Sequence, residues 1–158
     1  MNFTLLESKI INILANNVAL SQKLQAICKL LKESIPYYDW VGFYFKNGAE
    51  NELILGPFAG APTEHTIIPF GKGICGQVAV SNKNFVVQDV TAQENYISCG
   101  FKVKSEIVVP IFVNGKNIGQ IDIDSHSTAP FTDADERFLR ACKWLAIFVK
   151  GQHCWQGC

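Results

Sequence analysis

Apolar residues recur at helical spacing through the first third of the chain. One apolar stripe runs through residues 6–14 and a second runs through residues 24–31. Ser21 is a typical N-cap ahead of the second stripe, and Pro36 is a typical residue just beyond its end. The pattern therefore predicts a hairpin of two helices.

The pattern changes to that of β-strands after Tyr38. Aromatic and β-branched residues fill 39–46, and a second run at 52–55 follows a polar turn, which predicts a hairpin. Glycines and prolines interrupt residues 56–76, so we expect a long loop there, followed by a short helix at 76–81. Long loops inside compact domains are usually functional.

The second half of the chain contains the clearest hairpin. Two apolar runs, 107–113 and 117–123, flank Asn114-Gly115-Lys116, and asparagine and glycine tolerate the positive φ that such turns require. Ahead of them, 85–88 is typical of a short strand and 89–104 of an irregular segment. We expect the two long runs to be central strands of a sheet.

A last helix is indicated by its cap. Thr132 is a suitable N-cap, and Asp135, three residues later, stands at the N3 position of a capping box. The inner face of this helix would carry Phe138, Cys142, Leu145 and Val149. The order of helices, antiparallel strands and helix predicts an α+β fold.

Composition narrows the classes of protein. Of 158 residues, 48% are hydrophobic, which suits one compact domain over 1–158. The 14 basic and 14 acidic residues cancel, so nothing favours nucleic acid or anionic lipid as a partner. Apolar runs fall far short of the roughly 20 residues of a membrane helix, and residues 1–9 lack a secretory pattern. We expect a cytoplasmic protein.

Cysteine is the first candidate for chemistry. A chain of this size builds a core without disulfides, so we expect mostly thiols. Cys28 lies in an apolar stripe and should be buried. Cys75 precedes a predicted helix, whose dipole favours a thiolate, and Cys99 is close in sequence to Lys102 and Lys104. Spacing alone leaves open whether Cys75 and Cys99 are redox-active.

Three carboxylates are the second candidate. Glu106 begins one strand of the central hairpin, while Asp122 and Asp124 end its partner and share one face of it. The hairpin brings Glu106 near the two aspartates. If partly buried, such a cluster raises at least one carboxyl pKa and provides an acid near neutral pH. The alternative is that these carboxylates end the strands in solvent.

A metal site is a weaker candidate. His153, Cys154 and Cys158 are close together at the end of the chain and are ligands that suit zinc. They lack a second ligand pair at a familiar spacing, so we predict no metal site. His65 and His126 are expected to be exposed loop residues.

Together these residues resemble the GAF-domain free methionine-R-sulfoxide reductases. The resemblance extends over about residues 37–139. Trp40 ahead of Gly-Phe-Tyr, Cys99, and the Asp122-Ile123-Asp124 strand end are more specific to these reductases than to GAF domains in general. The matching segments are DWVGFY at 39–44, LGPF at 55–58, GKGICG at 71–76, SEIVVP at 105–110, GQIDIDS at 119–125 and FTD at 131–133.

The resemblance implies a fold and an activity. The fold would be a central antiparallel sheet of about five or six strands, with N-terminal and C-terminal helices packed on one side. The activity would be thiol-dependent reduction of free L-methionine-R-sulfoxide by a homodimer, with thioredoxin or a similar dithiol as reductant and no cofactor. Cys99 would be the catalytic cysteine, Cys75 the resolving cysteine, and Glu106 or Asp124 the acid. The substrate pocket would contain Trp40, Tyr44, Glu106, Asp122 and Asp124.

One departure from the family matters for recycling. Reductases of this kind carry a further cysteine in the loop before the glycine-rich segment, where this chain has Glu64-His65-Thr66. Recycling of Cys99 would then depend on Cys75 or on an external thiol. A GAF-type small-molecule sensor without chemistry remains the alternative, and it would need neither Cys75 nor Cys99.

Overall fold

The computed structural model describes residues 2–47, 49–97 and 102–141. Its elements follow the predicted order of helices, strands and helix. They are α1 (Phe3–Ala15), α2 (Leu20–Ser34), β1 (Trp40–Asn47), β2 (Glu52–Ala59), β3 (Ile67–Pro69), α3 (Gly73–Ser81), β4 (Phe85–Val87), a 3₁₀ turn (Val90–Ala92), β5 (Ser105–Val113), β6 (Lys116–Ser125) and α4 (Asp133–Arg140). None of the helices in these ranges has the length and apolar character that a membrane crossing requires.

The strands form a six-stranded sheet in the order β3-β2-β1-β6-β5-β4, and every neighbouring pair is antiparallel. This confirms the predicted α+β class and the sheet of five or six strands. The central hairpin is also confirmed, since β5 and β6 join through Asn114 at φ 52° and Gly115 at φ 76°.

The sheet separates two hydrophobic cores because side chains alternate between its faces. The first core lies under α1, α2 and α4 and contains Phe43, Ile107 and Ile121. The N-terminal and C-terminal helices therefore pack on one side, as predicted. The second core lies on the opposite face, where Trp40, Tyr44 and Val108 pack against residues of α3.

Several boundaries differ from the sequence prediction by one or two residues, and four differences have a local explanation or add an element. Helix α2 begins at Leu20, not after Ser21, because the Gln22 side chain accepts a hydrogen bond from the Ala19 N–H. Strand β2 continues past Leu55 to Ala59, through a bulge in its pairing with β1. Helix α3 begins at Gly73, since glycine adopts the positive φ of 59° at that turn. Finally, β3 is an edge strand within the predicted loop.

Helix α4 is anchored by a buried carboxylate. Thr132 and Asp135 form the predicted capping box, and Asp135 also accepts hydrogen bonds from the Tyr37 and Tyr38 hydroxyls at 2.8 and 3.0 Å. Phe138 is buried as expected. Cys142, Leu145 and Val149 lie outside the described residues.

Candidate active site

Three carboxyl groups meet on the second face of the sheet. Asp124 on β6 pairs with Glu106 on β5 and with Trp40 on β1. Asp122 lies two residues earlier on the same strand and faces the same side. The proximity predicted from the hairpin is therefore present in the structure.

Burial controls the protonation of this carboxyl cluster, which consists of Glu106, Asp122 and Asp124. No member is more than 3% exposed. Burial raises the pKa of Asp122 to about 7. It also raises the pKa of Glu106 and of Asp124 well above their ordinary values, and the neighbouring Asp122 charge adds to both shifts. Near neutral pH the cluster therefore holds protons that it can donate.

The carboxyl cluster has unused hydrogen-bonding capacity. Oδ1 of Asp122 and Oδ1 of Asp124 are buried and have no hydrogen-bond partner among the described residues. Orphaned buried oxygens are costly. A ligand with polar hydrogens, bound against this face, would satisfy them.

An aromatic wall stands beside the carboxyl cluster. The Trp40 indole stacks on Phe58 with ring centroids 5.5 Å apart, and Tyr44 lies 6.3 Å from it. Trp40 Nε1 donates to the Ala61 carbonyl at 3.1 Å, and the Tyr44 hydroxyl donates to the His65 carbonyl at 2.8 Å. The loop after β2 thus fixes both rings through main-chain oxygens.

Glycine makes room for the Trp40 ring. A Cβ atom at Gly42 would lie 2.1 Å from an indole carbon, and one at Gly60 would lie 2.4 Å from another. Non-bonded carbon atoms cannot approach this closely, so any larger residue at these positions would displace the ring.

Cys75 lies against the carboxyl cluster. It is the third residue of α3, is 4% exposed, and has its Sγ 4.0 Å from Glu106 Oε1. A hydrogen bond from its side chain also lowers the pKa of Asp122 against the larger effect of burial. Gln120 Nε2 donates to the Cys75 carbonyl at 3.1 Å, which ties α3 to β6.

A polar clamp joins the start of α3 to the segment that leads toward Cys99. Asn95 accepts a hydrogen bond from the Gly73 N–H at 3.1 Å and donates to the Gly71 carbonyl at 2.8 Å. Gln77 Nε2 adds hydrogen bonds to the carbonyls of Gly73 and Asn95. Three of these bonds involve Asn95 and hold it beside the turn at the start of α3, close to Cys75.

Two cavities open on this face. The larger, about 80 Å³, lies beside Trp40, Tyr44 and Asp124. The smaller, about 10 Å³, lies beside Cys75, Glu106 and Asp122 and is also lined by His65. The five predicted pocket residues therefore each line one of these two cavities, and Cys75 lines the smaller one with Glu106 and Asp122.

Sequence reasoning missed two ionisable residues of the larger cavity. Asp39 and His126 both line it, and they contact each other through His126 Nδ1 at 3.3 Å and the His126 N–H at 2.7 Å. Asp39 also extends the β1–β6 pairing, since its N–H donates to the Asp124 carbonyl, but no sequence pattern marks either residue. His126 is exposed and lies just after β6, which confirms its prediction as an exposed loop residue, whereas His65 is only partly exposed.

The remaining cysteines divide into two groups. Cys28 is fully buried in the first core and donates to the Pro57 carbonyl, and burial raises its pKa. This confirms its predicted role as a core thiol. Cys99 lies outside the described residues, as do His153, Cys154 and Cys158, so their roles stay predictions.

Comparison with known proteins identifies the family. The GAF domain model matches residues 19–142. The chain belongs to the GAF domain family.

Relatives of this GAF domain include named reductases. A free methionine-R-sulfoxide reductase of Saccharomyces cerevisiae is 45% identical over 103 residues, which are 64% of this chain and 57% of that protein. One of Escherichia coli is 39% identical over 111 residues, 70% of this chain and 66% of that protein. The sequence-based resemblance to this reductase group is therefore confirmed.

A solved structure gives the same result. The X-ray structure of a free methionine-R-sulfoxide reductase from Neisseria meningitidis, in complex with its substrate, superposes with a TM-score of 0.84. It is 35% identical, with 94% of this chain and 86% of that chain covered. The relatives are oxidoreductases, as the sequence analysis expected for this chain.

Proposed function

We propose that this protein reduces free L-methionine-R-sulfoxide to methionine. The observation that carries the proposal is the carboxyl cluster, buried and with two unpartnered oxygens, beside the Trp40 and Tyr44 rings. An apolar wall next to hydrogen-bond acceptors suits a small amphipathic ligand. The named relatives favour this substrate over other small molecules.

Recognition of a free amino acid follows from charge. The α-ammonium of methionine sulfoxide donates charge-assisted hydrogen bonds, and the free oxygens of Asp122 and Asp124 accept them. Trp40 and Tyr44 enclose the S-methyl end. A methionine sulfoxide within a peptide has no ammonium at that position, so we expect it to bind poorly.

The chemical step uses a thiolate and a protonated carboxyl group. The Cys99 thiolate attacks the sulfoxide sulfur, and Glu106 or Asp124 protonates the sulfoxide oxygen. Oxygen passes to the cysteine as the S–O bond of the substrate breaks, which leaves methionine and a Cys99 sulfenic acid. The sulfoxide is reduced by two electrons and the cysteine is oxidised by two.

Recycling then passes through Cys75. Its thiol condenses with the sulfenic acid, which forms a Cys75–Cys99 disulfide and releases water. A dithiol such as thioredoxin reduces this disulfide by exchange. The clamp made by Asn95 supports the route, because it holds the segment before Cys99 against the Cys75 turn.

The partners and setting proposed here follow from the same chemistry. A thioredoxin-type reductant requires a reducing compartment, so we place the protein in the cytoplasm. A homodimer is supported by α1, which leaves Leu5 and Ile11 about half exposed on its outer side. Sedimentation analysis of the full chain tests the homodimer directly, and a monomer at micromolar concentration would rule it out.

The deciding experiment is a product assay. Purified protein is incubated with free L-methionine-R-sulfoxide and dithiothreitol, and methionine is measured by chromatography. We expect turnover by the wild type and by Cys28→Ser, and none by Cys99→Ser. If folded wild-type protein binds the sulfoxide but forms no methionine, the enzyme proposal is wrong and the sensor alternative is favoured.

The acid is tested by isosteric variants. Glu106→Gln and Asp124→Asn remove a donatable proton while keeping the shape of the side chain. We expect kcat/KM to fall by about 10²–10⁴-fold for the variant that removes the acid. If both variants retain wild-type rates, proton transfer from the carboxyl cluster is not part of the reaction.

A further inference from the structure

We propose that Cys75, Glu106 and Asp122 form a binding site for a thiophilic divalent cation, Zn²⁺ above all, which competes with the substrate. The three residues come from α3, β5 and β6 and are all buried. One ligand atom from each lies within 4.8 Å of the other two. Sulfur and carboxylate oxygen are both established zinc ligands.

The geometry needs only a small adjustment. Atoms bound to one Zn²⁺ ion stand about 3–4 Å apart, given Zn–S near 2.3 Å and Zn–O near 2.1 Å. Cys75 Sγ already lies 4.0 Å from Glu106 Oε1. Rotations that move each atom by about 1 Å bring the set to coordination distance.

A second observation points to a cation in particular. Oδ1 of Asp122 is fully buried and has no hydrogen-bond partner among the described residues. It belongs to a residue that lines the small cavity shared with Cys75 and Glu106. A buried acceptor without a donor, beside a second carboxylate and a thiol, is suited to a metal ion as well as to an ammonium group.

Charge and a further ligand complete the site. When Zn²⁺ binds, the Cys75 thiol proton leaves and any proton on the two carboxyl groups is released, so three negative ligands neutralise a dication. His65 lines the same cavity and is a candidate for the fourth ligand. It stands in the loop segment where the family pattern would place a further cysteine.

A metal ion bound at this site would control the protein by occupying part of its substrate pocket. Bound Zn²⁺ would occupy the Asp122 oxygen, one of the two that we assign to the substrate ammonium, and would hold Cys75 as a metal thiolate that cannot resolve a sulfenic acid. The metal would also protect Cys75 from oxidation. The binding itself does not depend on the proposed reductase activity.

Cobalt titration tests the site without an activity assay. Co²⁺ is added to reduced, chelator-treated wild-type protein, and the near-ultraviolet sulfur-to-cobalt charge-transfer band is recorded. We expect a saturable band that one equivalent of Zn²⁺ abolishes and that methionine sulfoxide weakens. Cys75→Ser should remove the band, and Asp122→Asn should weaken Zn²⁺ binding by about 10–100-fold, as judged by competition with a chromophoric chelator.

Matched variants separate this site from the other thiols. Cys28→Ser and the double variant Cys154→Ser/Cys158→Ser should keep the band, and circular dichroism confirms that every variant is folded. The proposal fails if the wild type gives no band, or if folded Cys75→Ser keeps it at full strength. A band in a protein without reductase activity would uphold the metal site and reject the proposed reaction.

Discussion

Three acidic side chains share one buried patch, and burial raises the energetic cost of ionising each of them. Desolvation is the largest cause of the raised pKa at Glu106, Asp122 and Asp124, and mutual repulsion adds to it at two of them. A surface carboxylate would be fully ionised at neutral pH. At this site, burial retains protons that the proposed reduction consumes.

This burial makes stability depend on pH. Asp122 has a pKa of about 7 when folded, against 3.8 ordinarily, so between these values the unfolded chain releases a proton that the folded protein keeps. The free energy of unfolding is then greatest below the unfolded-state pKa of Asp122 and falls as pH rises toward 7. Asp122→Asn should flatten this decline by up to about 1.4 kcal/mol per pH unit.

Urea unfolding between pH 4 and pH 7, with a chelator present to exclude metal, measures that slope in the wild type and in Asp122→Asn. Equal slopes in the two proteins would mean that Asp122 does not hold its proton in the folded state.

The position of Trp40 gives a second prediction. Gly42→Ala places a methyl group where the indole ring lies, so the ring must move and the apolar wall of the pocket is lost. We expect KM for methionine sulfoxide to rise about tenfold or more, in line with the loss of 1–3 kcal/mol that a changed apolar contact costs.

Gly56→Ala is the matched control, because its methyl group would press on Phe45 in the first core rather than on the pocket. That variant should lose stability with little change in KM. A similar rise in KM in both variants would indicate general strain of the sheet.

At the scale of elements, the central hairpin was predictable and the loops were not. The Asn114-Gly115 turn and the alternating strands fix the β5–β6 pairing, and with it the approach of Glu106 to Asp124. The contacts of Asp39, Asn95 and His126 are made between segments far apart in sequence. No local pattern marks them, which is why the sequence analysis found the carboxyl cluster but missed these residues.

The clamp made by Asn95 is testable as an element. Asn95→Ala removes two hydrogen bonds between residues 95–97 and the turn before α3. We expect faster amide exchange in that segment and slower formation of the Cys75–Cys99 disulfide after one equivalent of substrate. Single-turnover methionine release should be retained, since the clamp contacts neither the carboxyl cluster nor the aromatic wall.

Mass spectrometry of quenched samples measures the disulfide. Glu94→Ala is the control, because the Glu94 side chain is next to Asn95 in sequence but takes no part in these hydrogen bonds. Unchanged disulfide kinetics in Asn95→Ala would show that the segment reaches Cys75 without the clamp.

Across the whole molecule, the sheet separates what holds the fold together from what the proposed chemistry uses. The first core, with Asp135 and its tyrosine partners, lies on the face opposite the carboxyl cluster. Tyr38→Phe removes one hydrogen bond to a buried carboxylate and should cost about 1.5–3 kcal/mol of unfolding free energy. Its KM should match the wild type. A large change in KM would mean that the two faces are coupled.

The aromatic wall is held by carbonyl oxygens of the loop after β2, at Ala61 and His65. Every residue supplies a carbonyl, so the amino acids at positions 61 and 65 are free to vary while the rings keep their places. Evolution could therefore replace a cysteine by His65 without moving the aromatic rings of the proposed substrate pocket. The same freedom makes these two positions suitable for libraries that alter recycling or ligand preference, because the side chain can change while the carbonyl contact stays.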